Sequence, residues 1–480
     1  MEGKGEAVEV LTPDICVIGA GSGGLSVAAA AAGFGVPVVL IEKGKMGGDC
    51  LNYGCVPSKA LLAAAKHAAE PKRVTPFGLT LPRAEVDFAK VHAHVHGVIA
   101  AIAPNDSKER FTGLGVQVIE GAARFSGPAT VTVSDKFEIK ARRFVIATGS
   151  SPAVPPIPGL AETSYLTNET IFELKRCPEH LIVIGAGPIG LELAQAHRRL
   201  GAKVTVLEAA TALAKDDPEL AAIVLEHLTR EGIAIRSGVK VTRVSHSEGK
   251  VQAVIETSQG EETIEGSNLL IAAGRRANVD GLDLDKAGIE YEPRGIVVSK
   301  GLKTTNRKVY AIGDVTGGAF THVANYHAGI VIRNALFRLP AKANGDAVPW
   351  VTFTDPELAQ VGLTEAQARE RHKTIRILRW PYHENDRAQA ERETHGHIKV
   401  VTAKNGRILG ATIVGAHAGE LITTWTLALS QGLNIRAMTG IVVPYPTLSE
   451  IGKRAAITYF LPSLGNPRVR RLINFLRRFG

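Results

Sequence analysis

The sequence has few cysteines and no long apolar run. Only four of its 480 residues are Cys, too few for a dense disulfide framework, which fits a reducing cytosol. No apolar run reaches the roughly 20 residues that span a bilayer, and the opening MEGKGEAVEV lacks the pattern of a secretory signal. No basic stretch carries the aromatic residues that single-strand nucleic-acid binders use. We therefore expect a cytoplasmic protein with no nucleic-acid partner.

The length and composition indicate an ordinary globular protein of several domains. A chain of 480 residues is too long for one hydrophobic core, so we expect about three domains. Hydrophobic residues make up 45% and charged residues 21% of the chain, and its 50 glycines suit tight turns and close approach of backbone to ligands. The net charge of +9 favours anionic ligands in general.

One strand–turn–helix–strand unit occurs twice along the chain. In the first copy, strands from Ile15 to Ile18 and from Val36 to Ile41 flank a glycine-rich turn and an Ala-rich helical stretch. In the second copy, the strands run from Leu181 to Ile184 and from Ala202 to Leu207. The turn glycines are Gly19, Gly21 and Gly24, then Gly185, Gly187 and Gly190, and the acidic residues after the second strands are Glu42 and Glu208. This repeat predicts two bound dinucleotides.

The residue types of each unit suit a dinucleotide. The first glycine permits the tight bend, the second lets a pyrophosphate approach the backbone, and the third lets the helix pack closely on the strand. The helix N-terminus offers free N–H groups and a positive dipole end to the phosphates. The carboxylate after the second strand can accept hydrogen bonds from the hydroxyls of a ribose, and its negative charge repels a 2′-phosphate. Because no cation follows Glu208 in the segment Ala209, Ala210 and Thr211, we expect NADH to be preferred over NADPH at the second site.

A pair of cysteines follows the first unit. Cys50 and Cys55 lie in the segment GGDCLNYGCVPSK, in which Pro57 suits the first turn of a helix. The cysteines would then lie at a helix start, where the helix dipole lowers the pKa of a thiol. Cys16, inside a strand, and Cys177, before a proline, do not supply the second pair that a metal clip needs. We therefore expect a redox-active pair and no resident metal site.

In this order, the motifs resemble those of the pyridine nucleotide–disulfide oxidoreductase family, which includes dihydrolipoamide dehydrogenase, glutathione reductase and mercuric reductase. The resemblance covers nearly all of the chain. It continues after the cysteine pair through the segments ATGS (147–150), AGR (273–275), AIGD (311–314), FTDP (353–356) and PTLSE (446–450). It implies FAD in the first site, NAD(P)H in the second, and a homodimer in which the partner subunit completes each active site.

The resemblance also implies roles for individual residues. Cys50 would face the substrate and Cys55 would contact the flavin, with Lys59 and Glu192 paired near the flavin N5 edge. Asp314 would hold the ribityl and phosphate region, while Ala123 and residues 148–150 would line the FAD by backbone contacts. The expected cofactor-binding residues are Gly19, Gly21, Gly24, Glu42, Gly48, Lys59, Ala123, Thr148, Gly149, Ser150, Gly313, Asp314, Gly185, Gly187, Gly190, Glu208, Gly274 and Arg275.

The expected fold is α/β, with two Rossmann-like dinucleotide-binding domains and a C-terminal α+β dimerisation domain. Turn-rich segments at 150–159 and 277–281, and the stretch 341–349, mark the domain crossings. We place the domains as follows: FAD-binding domain, residues 1–152 and 278–345; NAD(P)H-binding domain, residues 153–277; dimerisation domain, residues 346–464; basic tail, residues 465–480.

One position departs from the pattern of the relatives that reduce disulfides. Five residues before Glu450, those enzymes have a His that moves protons in thiol exchange, whereas this chain has Tyr445. A phenol with a pKa near about 10 is a poor proton shuttle at neutral pH, and losing a positioned base costs about 10²–10⁴ in rate. Histidines that could substitute are His322, His327, His383, His395 and His397. The candidate catalytic residues are Cys50, Cys55, Lys59, Glu192, Tyr445 and Glu450.

The electron acceptor stays open at this point. Mercuric reductases carry Tyr at the position of Tyr445, since reducing a metal ion needs ligands more than a proton shuttle, but they also end in a cysteine pair that the ending NFLRRFG lacks. We expect a metal ion, an unusual disulfide or a quinone, with dihydrolipoamide dehydrogenase chemistry as the alternative. Two other classes are a flavoprotein sensor or binding subunit without turnover, and a membrane NADH:quinone dehydrogenase, which needs no cysteine pair.

The C-terminal segment has the pattern of a basic amphipathic helix. On a helix from Pro467, one face is apolar and the other polar, and the segment has five Arg and no acidic residue. The apolar residues are Val469, Leu472, Ile473, Leu476 and Phe479, and the polar ones are Arg470, Arg471, Asn474, Arg477 and Arg478. Such a helix can lie in the headgroup layer of an anionic membrane or pack on the dimer surface with its arginines solvated.

Overall fold

The computed structural model describes residues 8–247, 249–318 and 320–479. These residues form two compact units. The first comprises the described parts of Met1–Ala186, Leu193–Ala209 and Gly238–Ala343, and the second comprises Gly187–Glu192, Ala210–Ser237 and the described part of Asn344–Gly480. The domain limits that we derived from the sequence stay predictions.

A five-stranded parallel sheet forms the centre of the first unit. Its strands, in spatial order, are Val309–Ala311, Arg143–Ile146, Ile15–Ile18, Val38–Glu42 and Val116–Glu120. The central run is apolar and fully buried, as expected for a parallel strand that is covered on both faces. Helices Ser22–Gly33 and Thr321–Ala335 pack on each other and bury Ala28 and Ala328 in the same core. The carboxyl ends of these strands lie at one edge, where such sheets bind ligands.

The two predicted strand–turn–helix–strand units are present, with shifted limits. The strand predicted from Val36 begins at Val38 and includes Glu42. Pro37 has no N–H to pair, and its carbonyl accepts from the backbone N–H groups of Asp14 and Ile15 at 3.0 and 3.2 Å. The strands of the second copy are His180–Ile184 and Lys203–Glu208, which pair in parallel. The helices that follow the two glycine turns are Ser22–Gly33 and Pro188–Arg199.

The first unit contains further strands, most of them in smaller sheets. Asn268–Ile271 pairs in parallel with His180–Ile184. The other strands are, sheet by sheet, Glu9–Leu11, Phe137–Ile139, Thr130–Val133 and Ala123–Gly127; Lys240–Ser247, Lys250–Thr257 and Gly260–Gly266; Arg275–Ala277 and Ser150–Pro152; Tyr291–Glu292 and Gly295–Ile296.

The second unit is built on a five-stranded antiparallel sheet. Its strands, in spatial order, are Pro349–Thr352, Glu357–Gly362, Ile408–Gly415, His397–Ala403 and Ile375–Pro381. Helix Ala418–Ser430 packs on this sheet and places Trp425 in the core with 2% of its surface exposed. Tyr382 is also fully buried, and its hydroxyl donates to the carbonyl oxygen of Ala416 at 2.9 Å. The strand Ile233–Ser237 belongs to this unit as well.

Several of the other helices follow a residue whose side chain accepts a hydrogen bond from the first turn of the helix. For example, Asp87 caps helix Phe88–Ile102 by accepting from the backbone N–H of Lys90 at 3.2 Å. The remaining α-helices are Gly48–Asn52, Cys55–Arg73, Lys108–Gly113, Pro218–Arg230, Glu365–Arg371, Asp386–Glu391, Ile435–Gly440, Glu450–Thr458, Leu461–Leu464 and Pro467–Leu476. The 3-10 helices are Thr75–Phe77, Ala103–Asp106, Ile171–Glu173, Leu284–Ala287, Gly313–Thr316, Gly345–Ala347 and Tyr382–Glu384.

A buried charge network holds part of the second unit together. The Lys399 ammonium, only 3% exposed, lies 2.9 Å from Asp217, 2.8 Å from Glu219 and 2.7 Å from Glu365. The Arg379 guanidinium donates to both carboxylate oxygens of Glu219 at 2.8 and 2.7 Å. These hydrogen bonds, with that from Lys399, lower the pKa of Glu219 to about 2. The sequence pattern did not predict this network.

The C-terminal helix is shorter than the predicted amphipathic segment. It covers Pro467–Leu476, so Phe479 lies beyond its end and is not part of the helical apolar face. Leu472, Ile473 and Leu476 on the predicted apolar face are 56%, 50% and 54% exposed in the single chain. None of the described helices combines the length and apolarity needed to cross a bilayer.

Candidate active site

The first glycine turn is shaped by contacts that leave no room for side chains. Gly19 has a φ of +103°, and a Cβ there would lie 2.4 Å from the carbonyl oxygen of Ala147. A Cβ on Gly24 would lie 1.9 Å from the carbonyl oxygen of Gly19, so this position needs glycine for the helix to reach the strand. At Gly21, by contrast, a Cβ would meet nothing within 4 Å. The second glycine of the turn therefore faces open space, as an approaching pyrophosphate requires.

The acidic residues after the two strands fix the glycine turns. Glu42 accepts hydrogen bonds from the backbone N–H of Ala20 at 2.6 Å and of Gly44 at 2.7 Å. In the second copy, Glu208 accepts from the backbone N–H of Ala186 at 2.8 Å. Both carboxylates thus position the turn before any ribose is bound, and their contacts with a ribose stay a prediction.

The second glycine turn repeats the geometry of the first. Gly185 has a φ of +112°, and a Cβ there would lie 2.3 Å from the carbonyl oxygen of Ala272. Gly187 precedes helix Pro188–Arg199, which includes Gly190. The same local sequence therefore produces the same turn twice.

Cys55 is the first residue of helix Cys55–Arg73, as predicted for the cysteine pair, but Cys50 is not at that helix start. Cys50 lies instead in the separate short helix Gly48–Asn52. The break between the helices is at Gly54, where a Cβ would lie 2.9 Å from the Asp49 carboxylate. Because Gly48 packs so closely on the first turn that its Cβ would lie 2.8 Å from Gly21 Cα, the short helix holds Cys50 beside the first dinucleotide site.

The two thiols differ in acidity. A hydrogen bond from Cys50 is the largest influence that lowers the pKa of Cys55, to about 6, and Thr321 and the Lys59 charge lower it further against the effect of burial. The Sγ atom of Cys55 lies 3.4 Å from the Thr321 hydroxyl oxygen. The same hydrogen bond to Cys55, together with burial, raises the pKa of Cys50. At neutral pH the reduced pair is therefore a Cys55 thiolate that accepts from a Cys50 thiol.

A cavity of about 360 Å³ extends from the start of helix Ser22–Gly33, which follows the first glycine turn, to Cys50. Its lining includes Ser22 and Ser26 of the helix after the turn, Gly47, Cys50 and Thr321. A ligand in this cavity would contact both the helix N-terminus and one of the thiols.

The Arg275 side chain connects its own segment with three others, those of Ser150, Asp49 and Asp314. The Arg275 guanidinium donates to the hydroxyl and the carbonyl oxygen of Ser150, both at 2.7 Å, and lies 3.2 Å from Asp49 and 3.9 Å from Asp314. The Ser150 hydroxyl in turn donates to Asp314 at 2.7 Å. Burial raises the pKa of Asp314. Three predicted residues thus meet here, and Asp49, which the sequence analysis did not select, joins them.

The other residues predicted to line the FAD lie in the first unit. The Thr148 hydroxyl donates to the carbonyl oxygen of Asn278 at 2.7 Å, and the Asn278 amide donates to that of Thr148 at 2.9 Å. Gly149, Gly274 and Gly313 have φ values of +69°, +133° and +69°, a region that favours glycine. Ala123 begins the strand Ala123–Gly127 and is 6% exposed.

Four of the five histidines that could substitute for the missing base have other side-chain contacts. His327 accepts from the backbone N–H of Gly313 at 3.3 Å, and burial lowers its pKa. His322 stacks on Phe320 with ring centroids 5.4 Å apart. In the second unit, His397 lies 3.1 Å from Glu219, and His395 pairs with the ring of His227.

Tyr445 and its neighbours lie in the second unit. Tyr445 is 70% exposed, and its hydroxyl donates to the Asp386 carboxylate at 2.8 Å. This hydrogen bond raises the pKa of Tyr445. Glu450 is the first residue of helix Glu450–Thr458. Glu192, 5% exposed, accepts from the backbone N–H of Phe353 at 2.9 Å, and its pairing with Lys59 stays a prediction.

Two family models match the chain. The model described as pyridine nucleotide-disulphide oxidoreductase matches residues 13–329, and the model of that family's dimerisation domain matches residues 348–456. The chain belongs to the pyridine nucleotide-disulphide oxidoreductase family. This confirms the resemblance, the fold class and the enzyme class predicted from the sequence. The dimerisation domain supports a homodimer.

Relatives within the family carry two different names. A protein named mercuric reductase from Bacillus cereus is 38% identical over 93% of this chain and 71% of its own length. One named dihydrolipoyl dehydrogenase from Thermus scotoductus is 36% identical over 92% of this chain and 95% of its own. This family member is therefore an NAD(P)H-dependent flavoprotein disulfide oxidoreductase by descent, which favours an enzyme over a sensor or binding subunit.

Two solved structures share the whole fold. A Cu(II) complex of the HOCl-induced flavoprotein disulfide reductase RclA from Escherichia coli aligns with a TM-score of 0.83 and 29% identity, covering 93% of this chain and 99% of the other. LpdA from Mycobacterium tuberculosis aligns with a TM-score of 0.85 and 27% identity, covering 94% and 99%.

The first site of this family member fits the FAD that the family uses. Open space lies over Gly21, the adjoining cavity reaches Cys50, and the buried Asp314 carboxylate lies beside Ser150. A pyrophosphate needs the first feature, and a ring system that exchanges electrons with the cysteine pair needs space next to that pair, which the second feature provides. FAD and a pyridine nucleotide are the cofactors expected for the family.

Proposed function

We propose that this enzyme passes electrons from NADH to a thiophilic metal ion, such as Hg²⁺ or Cu²⁺, through the Cys50–Cys55 pair. The observation that carries the proposal is the combination of an acidic Cys55 thiol with Tyr445, a weak acid, at the position where disulfide-reducing relatives have a base. The names of the relatives, mercuric reductase among them, and the Cu(II) complex of RclA support a metal-ion acceptor.

The electrons balance through the sulfur atoms. The two electrons that the cysteine pair receives come from NADH, and FAD, when bound, would supply the redox chemistry that links the two. Their arrival breaks the S–S bond, leaving a thiolate on Cys55 and, after uptake of one proton, a thiol on Cys50, in the order set by their pKa values. A metal ion that binds both sulfurs displaces the Cys50 proton. Re-forming the S–S bond then delivers two electrons, which reduce one Hg²⁺ to Hg⁰ or two Cu²⁺ to two Cu⁺.

Tyr445 explains why we favour a metal ion over an ordinary disulfide. Reducing a disulfide substrate requires protonation of the leaving thiolate by a group that titrates near neutral pH. The hydrogen bond to Asp386 holds the pKa of Tyr445 above its ordinary value, so the phenol keeps its proton at neutral pH and is a poor donor to a leaving thiolate. Metal-ion reduction needs no such proton donor at this position.

The test is NADH oxidation by the holoenzyme with a panel of acceptors. We expect Hg²⁺ or Cu²⁺ to be turned over faster than lipoamide and glutathione disulfide. Tyr445→His should raise lipoamide turnover by up to about 10²-fold, the lower end of the rate increase that a positioned base provides. Tyr445→Phe should leave metal-ion turnover unchanged within error. Lipoamide turnover by the unmodified enzyme at the rate of its best acceptor would contradict the proposal and favour dihydrolipoamide dehydrogenase chemistry.

We propose that NADH is the electron donor and binds at the second glycine turn. The Glu208 carboxylate ends the strand Lys203–Glu208 and is held toward the glycine turn by its hydrogen bond from Ala186. A 2′-phosphate placed against this carboxylate would be repelled, and the next three residues supply no cation. Comparing kcat/KM for NADH and NADPH tests this, with Glu208→Gln as the variant expected to narrow the difference. A preference for NADPH in the unmodified enzyme would overturn it.

We further propose that the C-terminal helix attaches the dimer peripherally to the inner, cytoplasmic face of an anionic membrane. Its exposed Leu472, Ile473 and Leu476 would enter the headgroup layer, and each Arg near an anionic surface adds about 1 kcal/mol. A lipid-soluble quinone would then become a further acceptor. Co-sedimentation with anionic vesicles at low salt tests the contact. Leu472→Ser/Leu476→Ser should weaken it, and equal partitioning of chains with and without residues 465–480 would leave only packing on the dimer.

A further inference from the structure

Two histidines on one helix face an acidic residue in the first unit. His92 and His96 lie one turn apart on helix Phe88–Ile102 and therefore on the same face. Glu173 ends the 3-10 helix Ile171–Glu173 opposite them. One ligand atom from each of the three residues lies within 4.8 Å of the others. The His96 Nε2 atom is 3.7 Å from the Glu173 carboxylate, and the two imidazole rings have centroids 4.2 Å apart.

One ring nitrogen of His92 has no hydrogen-bond partner among the described residues. The Nε2 atom of His92 is shielded from solvent and makes no hydrogen bond with the described residues. Leaving a buried polar atom without a hydrogen bond is unfavourable, and a bound water or ion is one way in which native proteins satisfy such an atom. His92 also lines a neighbouring, mostly apolar cavity of about 10 Å³, whose lining does not include His96 or Glu173.

We propose that His92, His96 and Glu173 bind a divalent transition-metal ion of the zinc class. Two imidazoles and one carboxylate form a ligand set that Zn²⁺ uses with a water in the fourth position. Bonds of about 2.1 Å in a tetrahedral site put ligand atoms about 3.4 Å apart, so ligand atoms that now lie within 4.8 Å of one another must close by at most about 1.4 Å. This site is independent of the proposed electron acceptor and of the cysteine pair.

The local charges and hydrogen bonds set the energy balance of the site. Burial lowers the pKa of His92, as do the charges of His96 and Lys175, while that of Glu173 acts in the opposite direction. The His96 Nε2 atom lies 3.2 Å from the carbonyl oxygen of Phe172, and a metal bound at this nitrogen replaces that contact. One neutral hydrogen bond contributes little net stability, less than a metal–imidazole bond supplies.

The position of the site gives the metal a structural role. It would fasten helix Phe88–Ile102 to the segment that begins at Asn168, whose amide donates to the Asp49 carboxylate at 3.2 Å and to the Tyr53 carbonyl oxygen at 3.1 Å. That segment therefore braces the loop between the two cysteines. Leu61, on the helix that Cys55 begins, lines the same small cavity as His92.

Zinc titration of the untagged, chelator-treated holoenzyme tests the site. The enzyme is kept oxidised so that Cys50 and Cys55, as a disulfide, cannot bind the metal. We expect one Zn²⁺ per chain by calorimetry, and His92→Ala or His96→Ala should weaken binding by at least about 100-fold, since even outer-shell partners of a metal ligand are worth about 10–100-fold. His94→Ala is the matched control, because His94 lies on the same helix with an exposed side chain, and it should bind Zn²⁺ as the unmodified enzyme does.

A second readout keeps the test independent of how well a variant folds. Zn²⁺ should raise the Tm of the unmodified enzyme and of His94→Ala but not that of His92→Gln, which retains a polar side chain of similar reach. Absence of stoichiometric zinc binding to the unmodified enzyme would overturn the proposal. So would full binding by His92→Ala/His96→Ala, which would place the metal elsewhere.

Discussion

The contact between Thr321 and Cys55 makes a quantitative prediction about the reactive thiol. Replacing Thr321 by Val keeps the shape of the side chain but removes the hydroxyl that lies 3.4 Å from the Cys55 sulfur. A hydrogen bond to a charged group contributes about 1.5–3 kcal/mol. Because one pKa unit corresponds to about 1.4 kcal/mol and this contact is long, we expect a rise of about one unit. The pKa of Cys55, held near 6 first by Cys50, would then move close to neutrality.

The assay is a pH titration of the NADH-reduced holoenzyme. A thiolate next to the flavin gives long-wavelength charge-transfer absorbance, and this absorbance is present above the pKa of Cys55 and lost as the pH falls through it. Thr321→Val should move the midpoint upward by about one unit, and Thr321→Ser, which restores the hydroxyl, should return it. An unchanged midpoint in Thr321→Val, or a shift that Thr321→Ser does not reverse, would refute the reasoning.

Three further predictions follow from the described contacts. Lys399→Ala should lower the free energy of unfolding by about 3–5 kcal/mol in urea, because it removes the ammonium partner of the buried Asp217 carboxylate, whereas exposed Lys404→Ala should change it by less than about 0.5 kcal/mol. The pKa of Glu219 is lowered from 4.5 to about 2, so the stability that its charge gives to the fold is complete above pH 4.5 and lost as the pH falls through 2. Glu219→Gln should remove that part of the loss of stability in acid. Identical curves of unfolding free energy against pH for Glu219→Gln and the unmodified enzyme would contradict this. Cys55→Ser should abolish the charge-transfer absorbance, and its persistence would reassign the thiolate.

The glycine turns could be predicted from the sequence because local sterics determine them. Gly19 and Gly185 need positive φ, and both would place a Cβ within 2.4 Å of a carbonyl oxygen. The turn, the helix after it and the acidic residue that fixes it are all within a short stretch of chain. Cys55 at a helix start was predictable for the same reason.

The residues that the sequence did not indicate act across long chain separations. Thr321 is 266 positions from Cys55, and a threonine at a helix start has no local feature that marks it as a thiol partner. Asp386, which binds the Tyr445 hydroxyl, lies 59 positions away. The Lys399 network likewise depends on tertiary packing, which overrides the expectation that lysines are exposed. The spacing of His92 and His96 was a local signal, but its partner Glu173 is 77 positions beyond His96 along the chain, a separation read from the sequence.

The central claim is that the electrons of NADH reach a metal ion through Cys50 and Cys55. The most direct test is the amount of Cu⁺ formed per NADH consumed, measured without oxygen with a Cu⁺-specific chelator in the unmodified holoenzyme and in Cys50→Ser. We predict twice as many Cu⁺ ions as NADH molecules consumed for the unmodified enzyme, and only the uncatalysed background for Cys50→Ser. Equal Cu⁺ formation by Cys50→Ser would contradict the claim, since the electrons would then bypass the cysteine pair.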